Sequence, residues 1–96
     1  MASVPPVLNK RNLQYRLTLA ERYNENGMNF QAINLWREIL VVRPTLLPAR
    51  LKLAAAYLRL EQFPEAVREY ERVLHLEPKN QDARDALTRL RGHQLR

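Results

Sequence analysis

His75 and His93 are the side chains best suited to moving a proton near neutral pH, because imidazole titrates closest to that range. They stand 18 residues apart, and no H-x-x-x-H spacing accompanies either one to place two ligands on one helix face. The chain has no cysteine, which removes thiolate zinc sites, disulfides and a sulfur nucleophile. Ser3 is the single serine and stands near the N-terminus, and with only two glycines there is no glycine-rich loop to cradle a phosphate. The expectation is a chain with no catalytic residue, no metal site and no cofactor. It is not read as an enzyme.

Charge is the next chemical resource. Sixteen Lys and Arg against ten Asp and Glu give a net +6, which raises nucleic acid or anionic lipid as a partner. The excess is uneven: residues 1–12 and 81–96 carry +2 each, while 13–46 and 47–80 carry +1 each. A nearly balanced centre fits a solvated surface better than a nucleic-acid footprint. Nucleic acid and membrane are therefore the less favoured partners. Arg16, Arg50 and Arg84 recur at intervals of 34. They offer either a cationic strip or, the favoured reading, long stems laid over neighbouring helices with wet guanidinium heads. Glu65, Arg68, Glu69, Glu71 and Arg72 are expected on a solvated helix face.

The interval of 34 also orders the apolar positions. Shifting the chain by 34 superposes Leu13 on Leu47, Leu17 on Leu51, Leu19 on Leu53, Ala20 on Ala54 and Tyr23 on Tyr57. It continues with Ala32 on Ala66, Leu40 on Leu74 and Pro44 on Pro78. A fixed period of this size marks a stacked-repeat architecture. Each unit reads as two helices, one with Leu19, Ala20 and Tyr23 on a face, the other with the stripe Ala32, Ile33, Trp36, Ile39 and Leu40. Gly27 suits a left-handed helix stop, and Asn29 is expected to cap the next helix. Pro48 and Pro64 fit helix first turns, whereas Pro44 and Pro78 end each unit. Asn80 should cap a fifth helix running roughly from Gln81 to Arg91, with Gly92 as its stop. The expected divisions are an arm or helix extension over 1–12, units over 13–46 and 47–80, and a capping helix with tail over 81–96.

These positions resemble the tetratricopeptide repeat family. The resemblance rests on Leu19-Ala20, Tyr23, Ala32, Trp36, Ile39 and Pro44, then Leu53-Ala54, Tyr57, Ala66, Tyr70, Val73 and Pro78. It implies an all-α fold of tandem antiparallel helix pairs, two units plus a C-terminal capping helix, forming a fragment of a right-handed superhelical solenoid. It further implies that the first helices of each pair line a concave groove. The family's early large apolar position is occupied here by Arg16, Arg50 and Arg84. Phe30 and Phe63 also fall one place out of register with each other, so the two hairpins are expected to pack slightly differently. Tyr23, Trp36, Tyr57 and Tyr70 are expected to fill the space between layers.

On that face Leu51, Ala55 and Leu58 form an apolar stripe beyond what the core requires, and Leu17 takes the matching place in the first unit. Glu21, Asn24, Arg59, Asp85 and Arg89 surround it as a polar rim that would orient a bound segment. Positions that grip a C-terminal carboxylate in some family members correspond to Leu17, Glu21, Lys52, Asp82 and Ala86. Only Lys52 suits that task, so an apolar-anchored peptide or helix is the expected guest. The expected role is a cytoplasmic adaptor or scaffold module that binds another protein. The alternative is a homodimer that buries the same leucines, because repeats fewer than three are short of neighbours.

Overall fold

The computed structural model of this chain describes residues 10–94, without the side chains of residues 10, 11, 93 and 94. Ser3, most of the expected 1–12 arm and the His93 side chain lie outside the described set. Five α-helices and no strand occur among the described residues: α1 (Lys10–Glu25), α2 (Asn29–Val42), α3 (Leu47–Arg59), α4 (Phe63–Leu76) and α5 (Gln81–Gln94). Connections of alternately three and four residues join them, and such short links fold consecutive helices back on each other. Each helix packs chiefly on its neighbours in sequence. The fold is all-α and of tetratricopeptide-like helical-repeat type.

The 34-residue period reappears in the turns. Met28 donates its backbone N–H to Tyr23 O at 2.8 Å, and Gln62 donates to Tyr57 O at 2.9 Å, the same bond one period later. This six-to-one bond is the mark of a Schellman stop, in which the penultimate residue sits in the left-handed region. Gly27 occupies that place with φ +73°, and its equivalent Glu61 does so with φ +58°. The longer connections match as well, with Arg43 N–H on Ile39 O at 2.9 Å and Glu77 N–H on Val73 O at 2.7 Å. Pro48 and Pro64 stand in the first turns of α3 and α4, where a missing N–H leaves no helical bond unmade.

Two expected helix signals are corrected. Asn29 does not cap α2: it is the first helical residue, Met28 precedes it without a side-chain cap, and Asn29 Oδ1 instead accepts from Arg59 Nε at 3.0 Å. Gly92 does not stop α5, which runs on to Gln94; glycine weakens a helix but does not forbid it. Asn80 does cap that helix, its Oδ1 accepting the Ala83 N–H at 3.0 Å.

The core forms where the repeat stripes meet. Ala20, Ala32, Ala54 and Ala66 have no exposed surface, and these short side chains let helix backbones approach closely. Trp36 is 1% exposed, Tyr57 and Tyr70 are buried, and Ala83, Ala86, Leu87 and Leu90 of α5 close the layer. Tyr23 is only half-buried at the edge of this cluster. Phe63 packs partly against the core, whereas Phe30 is 64% exposed. Their offset by one position turns one ring inward and the other outward.

The arginine ladder departs most from expectation. Arg50 is buried, donating from Nη1 to Glu69 Oε1 at 2.6 Å and from Nη2 to Pro44 O at 2.7 Å. Its head is therefore not wet, and Glu69 is buried with it rather than lying on a solvated face. Arg16 pairs with Glu38 on a partly exposed surface, and Arg84 is exposed. Three equivalent arginines meet three different environments, so they form no continuous cationic strip.

Candidate functional site

Residues on one helix face repeat at three- and four-residue steps, so Leu51 and Ala55 share a face of α3. Asp82, Asp85, Ala86 and Arg89 likewise share a face of α5. The stacking of helix pairs turns these two faces toward each other across the same side of the molecule. Between them lies a cleft of about 330 Å³, lined by Leu51, Ala55, Asp82, Asp85, Ala86 and Arg89, with Tyr70 reaching in from α4.

The cleft has an apolar wall and a charged wall. Leu51 and Ala55 are half-buried, so each retains apolar surface that a guest can cover at about 25 cal/mol per Å². Opposite them stand two carboxylates and one guanidinium on exposed residues of α5. Gln81 Nε2 donates to Asp85 Oδ1 at 2.8 Å, which holds that carboxylate along its own helix. Tyr70 is buried, and burial lifts its hydroxyl above the ordinary tyrosine range. Arg89 opposes that rise, Asp82 reinforces it and Arg59 opposes it. The hydroxyl thus stays protonated at neutral pH, available as both donor and acceptor.

Of the residues singled out on the sequence, Leu51, Ala55, Asp85 and Arg89 come together here. The others are placed differently. Leu17 and Leu58 are partly buried against the core and do not line the cleft. Glu21, Asn24 and Arg59 are engaged with one another's helices rather than free at a rim. Lys52 Nζ meets Glu21 Oε1 at 3.3 Å, and Arg59 donates to Asn24 Oδ1 from Nη2 and to Asn29 Oδ1 from Nε. These contacts tie α1 and the start of α2 to α3 across the hairpin boundary, so the paired side chains serve first as clamps. Lys52, the one suited to a carboxylate among Leu17, Glu21, Lys52, Asp82 and Ala86, is occupied by Glu21.

Tyr70, Asp82 and Ala86 also line the cleft. Asp82 and Ala86 were legible as face-mates of Asp85 and Arg89 at i, i+3 and i+4 spacing. Tyr70 was not, because its position in the repeat marks it as core and its reach depends on how α4 and α5 pack. No group of three His, Cys, Asp or Glu able to hold a metal occurs among the described residues. Among them, too, no helix is long and apolar enough to cross a membrane.

A family model described as a tetratricopeptide repeat matches residues 47–90, a span that covers α3, α4 and most of α5. No curated protein matches the chain. The helices α1 and α2 lie outside the matched span, and their likeness to α3 and α4 rests on the shared 34-residue pattern and the equivalent turns.

Proposed function

From the premise that residues 47–90 are a tetratricopeptide repeat, a unit that generally mediates contact between proteins and is typically non-catalytic, we propose that this chain is an adaptor or scaffold module. It receives a short peptide or helix of another protein in the cleft between α3 and α5. An apolar side chain of the guest rests on Leu51 and Ala55. A basic group nearby meets Asp82 or Asp85, and a carbonyl or carboxylate meets Arg89 and the Tyr70 hydroxyl. The observation that carries this reading is the convergence of Leu51, Ala55, Asp85 and Arg89 on one cleft. Those four side chains come from helices that approach each other only because the repeat stacks. An apolar floor with a charged margin is the anatomy by which a protein surface selects a segment of another.

A displayed library of random peptides selected on the protein tests it. Selected sequences should carry a large apolar residue next to a basic one, and their affinity should fall about tenfold or more with Leu51→Glu or Ala55→Glu. Circular dichroism must show unchanged helix content in both variants. Selected peptides indifferent to both substitutions would place binding elsewhere. Sedimentation at rising protein concentration separates this reading from self-association: a dimer dissolved by Leu51→Glu would assign the cleft to a second copy.

A further inference from the structure

The opposite side of the repeat carries a second groove, of about 620 Å³, between α2 and α4 with α3 as its floor. One wall is the α2 stripe Phe30, Asn34, Arg37 and Val41, and the other is the α4 stripe Glu65, Arg68 and Arg72. Phe30 is 64% and Val41 81% exposed, and they mark the two ends of the groove. They are eleven residues apart on α2, about 16 Å at the helical rise.

Charge distinguishes this groove from the α3–α5 cleft. There two carboxylates, Asp82 and Asp85, stand against a single guanidinium, Arg89. Here Arg37 and Arg68 are exposed and form no ion pair or hydrogen bond among the described residues, and Arg72 meets Glu69 only at 3.9 Å. At the floor the buried Arg50 leaves Nε without a partner. Four arginines against Glu65 and Glu69 give the lining a net positive charge. We propose that this groove docks an acidic amphipathic helix from a partner protein, its apolar side chains set between Phe30 and Val41 and its carboxylates on Arg37 and Arg68. A second copy is a poor occupant because the chain carries +6 and like charges repel. A nucleic acid strand is disfavoured because Glu65 and Glu69 interrupt the cationic lining and the groove ends are aliphatic and aromatic rather than continuously basic.

The test uses a labelled synthetic helix of about three to four turns, with leucine every third or fourth residue on one side and glutamate on its flanks. A twin peptide carries lysine in place of glutamate, and a single-stranded RNA oligomer serves as competitor. The full chain should bind the glutamate peptide at least about tenfold tighter than the lysine peptide, and more weakly as salt rises. Arg37→Glu with Arg68→Glu should invert that preference. Phe30→Ser with Val41→Ser should weaken both peptides while leaving helix content unchanged, because both side chains are already exposed. Leu51→Glu, in the other cleft, should change nothing. Equal affinity for the two peptides, indifference to charge reversal, displacement by RNA, or loss of binding with Leu51→Glu would each overturn the proposal.

Discussion

Arg50 Nη1 and Glu69 Oε1 lie 2.6 Å apart in the interior, joining α3 to α4 within a single hairpin. The equivalent of Glu69 in the first hairpin is Leu35, so Arg16 has no acid at that position. It turns instead to Glu38, at the exposed edge. One arginine, repeated at a fixed interval, is thus a buried anchor in one unit and a surface side chain in the other. The difference matches the partners on offer: Glu69 and the Pro44 carbonyl receive Arg50, and Leu35 stands where Glu69 would be for Arg16.

Removing one partner of a buried pair leaves an uncompensated charge, which typically costs about 3–5 kcal/mol. Glu69→Ala is expected to destabilise the chain by about that amount in urea unfolding. Replacing both partners with apolar residues of similar volume, Arg50→Met with Glu69→Leu, should recover most of the loss. Glu38→Ala, breaking the exposed pair, should cost no more than about 1 kcal/mol. Equal effects of Glu69→Ala and Glu38→Ala would contradict this assignment.

Trp36 fills the centre of the first hairpin, and its Nε1 is buried without a hydrogen-bond partner. Trp36→Ala should cost about 3–5 kcal/mol through the cavity it leaves. Trp36→Phe retains most of the ring volume and removes the unsatisfied donor, whose burial carries a penalty of about 1–3 kcal/mol. It should therefore cost far less. Thermal unfolding of the two variants side by side decides the point, and similar losses would show that the indole nitrogen is satisfied in solution.

Gly27 and Glu61 share the left-handed stop of the two hairpins. A residue with a Cβ is strained there by about 1–2 kcal/mol, whereas glycine is not. Glu61→Gly should raise stability by up to about 1 kcal/mol after glycine's greater freedom in the unfolded chain is deducted. Gly27→Ala should lower it by a similar amount. Space is not the issue, because a Cβ at Gly27 would meet nothing within 4 Å. Denaturant midpoints that move in the same direction for both changes would count against the backbone argument.

Burial raises the Tyr70 hydroxyl above its ordinary value near pH 10. The folded state therefore holds this proton more tightly than the unfolded state does. Its contribution is complete below about pH 10 and is lost as pH climbs toward the raised folded value. Tyr70→Phe should consequently lose less stability than the parent between about pH 9 and 11. Parallel pH profiles of the two proteins would remove the basis for a buried hydroxyl at the cleft.

The repeat was legible in the sequence because packed layers admit few residue types. Ala20 and Ala54, Ala32 and Ala66, and Pro44 and Pro78 each answer to a steric demand that recurs at every layer. Most of the cleft was legible from the same pattern: Leu51 and Ala55 are apolar beyond the needs of the core, and Asp85 and Arg89 stand at equivalent positions. Pairing across hairpins was not. Whether Glu21 finds Lys52, or Asn24 finds Arg59, depends on the separation and twist of non-consecutive helices, which local spacing does not fix. Glu69 was misread because alternating charge describes a helix surface only when the facing helix offers no buried arginine.

Backbone amide shifts followed by NMR while a library-selected peptide is added measure the main claim most directly. Binding in the proposed cleft predicts that the largest changes fall on Leu51, Ala55, Tyr70, Asp85 and Arg89, with Asn34 and Arg68 on the opposite side unmoved. Changes concentrated on α2 and the outer face of α4, with Leu51 and Ala55 silent, would contradict it.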